Sequence, residues 1–347
     1  MFRWVSGSHL PRSRRALLGL GFAIALVVAL VAALSLLSAP MARAKACLRY
    51  SARQAALARF ARTPATAPTP DFSHVVVILM ENKECSQVVG SPQAPYVNGL
   101  ARRYAVLRDL YATTHPSFPN YVALTSGSTL GATGTCARCR YVQRNLIDQL
   151  DAAHIGWRVY AQGMPTPCYT ATRAGLYAKR HVPFLFYRDI IGNRRRCANI
   201  APMTRLAHDL RAGALPRFVW ITPDLCADEH NCGVRSGDAF LARTVPPLLH
   251  AMGPRGAIFI TWDEGTTKRG CCSGRANGGN IPTVVAGGAV QPHSAPSSVY
   301  DSYSILRTIE DAWGLPHLRE AGCGCTHTIG GIWTRAALAR RGSSPGG

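Results

Sequence analysis

Three uninterrupted apolar runs constrain the fold of this chain more than any other feature. They are His74-Val75-Val76-Val77-Ile78-Leu79-Met80, Phe218-Val219-Trp220-Ile221-Thr222-Pro223 and Ala257-Ile258-Phe259-Ile260-Thr261-Trp262. None alternates polar with apolar, so each predicts a strand covered on both faces, as in the parallel sheet of an α/β protein. Each run also ends in acid: Glu81 with Asn82 after the first, Asp224 after the second, Asp263-Glu264 after the third. Ligands of such sheets bind beyond the carboxyl ends of the strands. One strand that ends in an acid is unremarkable. Three that do, beside a loop offering a hydroxyl, argue for a metal-assisted hydrolase.

That hydroxyl is found in Thr113-Thr114-His115-Pro116-Ser117-Phe118-Pro119-Asn120-Tyr121. Each proline fixes one backbone dihedral and disfavours helix at the residue before it, His115 or Phe118. The pattern therefore predicts Ser117 on a stiff turn with its hydroxyl outward, His115 at hand and Asn120 placed to donate to a phosphoryl oxygen. Taken alone, P-S-F-P reads better as an ordinary surface turn. The strand-end acids separate the two readings, because a serine is a poor nucleophile until a base or a metal ion lowers its pKa. A hard divalent ion held by carboxylate and amide oxygens does this and also neutralises phosphoryl charge. Phosphoryl transfer asks chiefly for positioning and charge stabilisation, which this set of residues supplies. Ser126, in Thr125-Ser126-Gly127, lacks the preceding glycine of a nucleophile elbow and is set aside.

Four segments carry a family resemblance: His74 to Asn82, the Ser117 loop with Ala123-Leu124-Thr125-Ser126-Gly127, Ile221 to His230 with Gly237-Asp238, and Ile260 to Gly265. Weaker matches are Tyr177 to Phe184 and Ser304 to Asp311. In this order, between about residues 74 and 315, the chain resembles the bacterial phosphoesterase family of the alkaline-phosphatase superfamily, which contains secreted acid phosphatases and phospholipases C. The HPSxPNY form is closer to the acid phosphatases, including mycobacterial secreted phosphatases acting on phosphoinositides, than to the larger phospholipases C. The resemblance implies an alkaline-phosphatase-like α/β core, a mostly parallel β-sheet flanked by helices on both faces. It implies hydrolysis of phosphoric monoesters through a phosphoserine, with a phospholipase C-like phosphodiesterase as the near alternative. A catalytically weak cell-surface binding protein that kept the fold, prompted by Ser302, is the alternative from another class, and the intact Glu81, Asn82, Ser117, Asp263 and Glu264 argue against it.

The resemblance also implies roles. Glu81, Asn82, Asp263 and Glu264 would bind metal, and Ser117 would be both nucleophile and metal neighbour. Asn120, His115 and His181 would be catalytic or phosphate-binding. Asp224, Asp228 and His230 would be further metal ligands or phosphate contacts. The cofactor is a divalent metal ion, with Zn, Mn, Mg, Ca and Fe all open and one or two ions per site. Many relatives read Tyr-Asp-His-Tyr-Ser where this chain has Tyr300-Asp301-Ser302-Tyr303-Ser304. The missing histidine at 302 favours one metal, or a substitute ligand such as His293. Competing structural readings are an N-cap for Asp238, a role orienting Asp263 for Glu264, and satisfied structural histidines for His115 and His181.

Four arginines at positions 3, 12, 14 and 15 precede an uncharged apolar stretch from Ala16 to Pro40 and a small-residue site at Ala44-Lys45-Ala46. This predicts an export signal over residues 1–46, or a retained membrane anchor, and a protein secreted or held in the cell envelope. Residues 47–70 read as a Pro/Ala/Thr-rich linker, 71–335 as one catalytic domain and 336–347 as a disordered tail. Twelve cysteines fit export and disulfides. Cys136 with Cys139, and Cys323 with Cys325, suit disulfides better than zinc, because no Cys/His array accompanies them. Cys271 and Cys272, being adjacent, are expected to have different partners. The formal charge is +21, and the six basic residues before position 47 leave +15 on the remainder. Such a surface favours phosphorylated small molecules, anionic phospholipid headgroups and envelope polymers, and the resemblance adds phosphoinositide headgroups to these. The arginines are scattered and form no nucleic-acid motif, so no specific nucleic-acid partner is expected. The Gly265–Gly279 loop, with Lys268, Arg269 and Arg275, is expected at the mouth of the site.

Overall fold

The computed structural model describes residues 67–339. The expected export segment and most of the expected linker lie outside the described residues. Seven strands form the central sheet: β1 (His74–Met80), β2 (Ala105–Val106), β3 (Trp157–Ala161), β4 (Ile200–Pro202), β5 (Phe218–Thr222), β6 (Gly256–Trp262) and β7 (Thr283–Ala286). Their order is β2-β7-β6-β1-β5-β3-β4. β1 runs parallel to β5 and β6, and β3 runs parallel to β5 and β4. β7 is antiparallel to both its neighbours, β6 and β2. The three apolar runs are thus adjacent central strands.

Successive side chains of a strand point to opposite faces. A strand buried at every position from Val75 to Met80 is therefore covered on both, as is β6 from end to end. Helices packed in two pairs supply cover: α1 (Pro95–Arg103) against α3 (Val234–Met252), and α2 (Ser117–Ser126) against α4 (Ser302–Trp313). The register sets Met80 beside Trp262 and Ile78 beside Ile221. The ends of the three central strands consequently line up, and the residues that follow them meet.

Four expectations are corrected here. Ser117 does not sit on an isolated turn: it is the first residue of α2, and Phe118 is helical. The first amides of a helix have no intrahelical acceptor, so Pro119 in that turn forfeits no hydrogen bond. Cys271 and Cys272 are bonded to each other. Asp238 is no N-cap of its own helix; it lies within α3 and caps α1, accepting from the backbone amides of Tyr96 and Val97 at 3.1 and 2.8 Å. The folded region also runs past position 335. Arg335–Leu338 form a helical turn, Ala337 is buried, and its carbonyl accepts from the Asp71 amide at 2.7 Å.

Cys136–Cys139 and Cys323–Cys325 are disulfides as expected, joined by Cys168–Cys197 and Cys226–Cys232. Among the described residues no helix is long and apolar enough to cross a membrane.

Candidate active site

The residues beyond β1, β5 and β6 are tied together by backbone bonds. The Glu81 amide donates to the Asp228 carbonyl at 2.8 Å, and the Asp263 amide donates to the Met80 carbonyl at 2.9 Å. Asn82 has a positive φ of 57°, a conformation that short polar side chains tolerate. Its amide donates to Asp263 Oδ1 at 3.0 Å and its side-chain nitrogen to Glu81 Oε2 at 2.8 Å. Donation from Nδ2 leaves Asn82 Oδ1 as the atom able to meet a cation.

Ser117 faces this group from the N-terminus of α2. Its Oγ lies 3.0 Å from Glu81 Oε2 and 2.8 Å from Glu264 Oε1. Glu264 also meets His115 Nδ1, while His115 Nε2 contacts the Thr267 carbonyl at 2.9 Å. On the far side of Glu81, Tyr121 donates its hydroxyl to Oε1 at 2.7 Å. His181 spans two carboxylates, with Nε2 at 2.9 Å from Glu81 Oε1 and Nδ1 at 3.0 Å from Asp228 Oδ2. Its ring stacks on Tyr121, with centroids 5.2 Å apart.

The electrostatics follow from burial and crowding. Burial opposes the charge on Glu81, but His181 and the hydrogen bonds from His181 and Tyr121 outweigh it and hold the carboxyl down at about 2. Burial likewise opposes a charged His181, yet Glu81 and Asp228 prevail and raise it to about 9. Burial, then the charges of Glu81 and Glu264, push Asp263 well above the ordinary carboxylate range. Asp263 Oδ2 is buried with no hydrogen-bond partner among the described residues.

This donor set fits a divalent cation. Buried carboxylates crowd around one hydroxyl, one of them keeps an orphaned oxygen, and hard oxygen donors of this kind suit hard cations. Glu81, His181 and Asp228 bring one donor atom each within 4.8 Å of one another. The oxygens of Glu81, Asp263 and Glu264 gather on the Ser117 side of the same Glu81. Glu81 therefore belongs to both groups.

Other expected residues are placed differently. Asn120 is buried and stitches the loop: Oδ1 accepts from the Thr114 amide at 2.9 Å, and Nδ2 donates to the Thr114 and Pro116 carbonyls. Asp224 turns the chain after β5, accepting from the amides of Cys226 and Ala227 at 3.0 and 2.9 Å. His230 is exposed, its ring centroid 5.9 Å from that of His181. The substitute ligand does not appear: His293 is exposed, next to Ser294 at edge strand β2, and joins no metal-capable group among the described residues. Ser302 is the buried first residue of α4, which Asp301 caps.

Two supporting residues escaped the sequence. Glu84 accepts from the amides of Thr266 and Thr267 at 3.1 and 3.0 Å and from the Thr267 hydroxyl at 2.8 Å, fixing the glycine-rich loop against the site. A Cβ on Gly265 would stand 2.3 Å from Glu84 Oε1, so that close approach needs glycine. Glu229 is buried next to Asp228 and accepts from Trp262 Nε1 at 3.1 Å, while Lys83 Nζ donates to its carbonyl at 3.0 Å. It thereby links the loops after β5 and β1 to the end of β6. Gly237 makes room for it, since a Cβ there would lie 2.3 Å from Glu229 Oε1. Glu84 had no sequence signal beyond proximity to Asn82, and Glu229 lay within the Ile221–His230 segment with no role assigned.

The sheet order and the acids at its edge define an alkaline-phosphatase-like fold. It is shared with a protein of the alkaline phosphatase superfamily from Vibrio parahaemolyticus, with TM-score 0.52, 12% identity, 78% of this chain and 74% of that one. A lipoteichoic acid synthase from Listeria monocytogenes aligns at TM-score 0.51 and 9% identity over 73% and 75%. Residues 91–316 match the model of the Phosphoesterase family, and the chain belongs to that family of phosphoric ester hydrolases. It is 30% identical to a phosphatidylinositol-3-phosphatase of Mycobacterium tuberculosis over 73% of this chain and 80% of that one. It is 27% identical to a phosphate-repressible acid phosphatase of Penicillium chrysogenum over 73% of this chain and 62% of the relative. It spans 52% of a 28% identical acid phosphatase of Aspergillus fumigatus.

Proposed function

We propose that the protein is an exported, metal-dependent phosphoric monoester hydrolase of acid-phosphatase type that works through a phosphoserine on Ser117. The observation that carries this reading is the Ser117 hydroxyl, 3.0 and 2.8 Å from two carboxylates at the N-terminus of a buried helix. Glu81, Asn82, Asp263 and Glu264 would hold the ion, with Ser117 as its neighbour. When bound, such an ion lowers the pKa of the serine hydroxyl and offsets phosphoryl charge.

The chain's own groups account for the rest. Ser117 Oγ gives its proton to the adjoining carboxylate of Glu264 and attacks phosphorus, the bond from phosphorus to the alcohol oxygen breaks, and the departing alkoxide takes a proton from solvent water and leaves as the alcohol. The amino end of α2 favours the negative charge gathered there. His181, between Glu81 Oε1 and Asp228 Oδ2, holds the Glu81 carboxylate in place from behind. His115 holds Glu264 toward Ser117. Water then cleaves the phosphoserine, releasing phosphate and restoring the hydroxyl. The relatives' names support monoesters as substrates, phosphoinositide headgroups among them. Five disulfides support an oxidising compartment, secreted or in the cell envelope. An uncleaved N-terminal segment would add membrane contact.

The test is hydrolysis of p-nitrophenyl phosphate and of bis(p-nitrophenyl) phosphate by the purified chain, with and without chelator. Chelator-sensitive monoester cleavage, restored by a divalent ion, supports the reading. Preference for the diester moves the chain to the phospholipase C branch, and cleavage indifferent to chelator removes the metal from the account.

A further inference from the structure

Beside the reacting groups stands a cation the chemistry above does not use. Arg180 directly precedes His181 in a single 3-10 turn (Lys179–His181), and its Nη2 lies 3.1 Å from His230 Nε2. A guanidinium has donors only, so His230 Nε2 accepts and the ring carries its proton on Nδ1, 2.8 Å from Asn231 Oδ1. His230 is thus a perch for the guanidinium. The nearby carboxylates Glu81 and Asp228 are engaged by His181, and among the described residues Arg180 forms no ion pair.

The perch is also built to stay put. The His230 amide donates to Asp228 Oδ1 at 2.8 Å, and the Cys226–Cys232 disulfide closes the loop that carries both residues. The His230 ring lies beside that of His181, on the opposite side of the Glu81 carboxylate from Ser117. A guanidinium held half-exposed at such a place is suited to an oxyanion, which it meets with two parallel N–H bonds.

We infer that Arg180, presented by His230, is a specificity-determining residue that binds a second phosphate group on the leaving-group side of the scissile ester. This rests on the monoesterase reading above and adds to it a substrate class: phosphomonoesters whose alcohol carries another phosphate. An ester with an uncharged alcohol makes no use of the group. One carrying a second phosphate gains a charge-assisted contact.

The experiment compares kcat/KM for p-nitrophenyl phosphate with that for the water-soluble diC4 form of phosphatidylinositol 3-phosphate, in the parent, Arg180→Gln, Arg180→Lys and His230→Phe. The expected result is a ratio of kcat/KM, phosphoinositide over p-nitrophenyl, about tenfold lower in Arg180→Gln, carried mainly by KM. Arg180→Lys regains part of it, and His230→Phe lowers the ratio in the same direction. Raising the ionic strength lowers the ratio in the parent but not in Arg180→Gln. If the ratio is the same in parent and Arg180→Gln, or if both rates fall together, the inference is wrong. Failure of the parent to cleave p-nitrophenyl phosphate would instead count against the monoesterase reading.

Discussion

A single buried acid can tie a strand end to the turn beside it. Glu229 adopts a φ of 80°, unusual for a side chain of its size, while joining Trp262 to the turn that carries Asp228. Burial chiefly raises its carboxyl from 4.5 to about 8, so at neutral pH it is largely the protonated acid. Glutamine reproduces that neutral acceptor and leucine does not. Glu229→Gln should therefore stay within about threefold of the parent, whereas Glu229→Leu should lose about 10- to 100-fold in kcat with a smaller change in KM. Equal losses in both variants would show that the carboxyl itself, not its bond to Trp262, matters. Residues of this kind were the least legible in the sequence. Ser117, Glu81 and Glu264 announced themselves by type and place, but the amide of Asn120 read as a phosphate donor although its bonds close its own loop. That difference depends on where Thr114 and Pro116 turn their carbonyls, which no residue type records.

At the scale of elements, the loop between β5 and α3 carries Asp228 and His230 and is closed by Cys226–Cys232 over a separation of 6. Closing so short a loop contributes about 2 kcal/mol in the chain-entropy account. The double variant Cys226→Ser with Cys232→Ser should lower Tm by several degrees and reduce kcat/KM for p-nitrophenyl phosphate more than stability alone explains, read at a temperature where both proteins remain folded. Activity unchanged in the folded variant would separate the loop from catalysis. The strands were legible because burial on both faces leaves a continuous apolar run, a pattern that half-exposed strands and surface helices do not produce. Helix α2 was not, because two prolines near its start read locally as turn chemistry. The unpaired amides at a helix start remove the cost on which that reading relied. The pairing of Cys271 with Cys272 was hidden for a similar reason: spacing alone does not tell which thiols approach.

For the whole molecule, the pH dependence of stability has an identifiable source away from the site. Glu310 on α4 is fully buried and accepts from the Leu318 amide at 2.9 Å, while its Oε2 has no partner among the described residues. Burial chiefly raises its carboxyl from 4.5 to about 8. Below pH 4.5 both folded and unfolded chains hold the proton and the stabilisation is complete. Between 4.5 and about 8 the unfolded chain releases it first, so stability falls as pH rises. Glu310→Gln keeps a neutral acceptor and should flatten that fall, measured by denaturant midpoints from pH 4.5 to 8.5. A parallel decline in both proteins would assign the dependence to other groups.

The central claim is that Ser117 carries the phosphoryl group in transit. Its most direct test is acid quenching during turnover of a 32P-labelled phosphomonoester, followed by peptide mapping. The account predicts label on the peptide containing Ser117, absent in Ser117→Ala, whose kcat falls by about 10³-fold or more while the protein remains folded. Label on another residue, or undiminished turnover by Ser117→Ala, would contradict it.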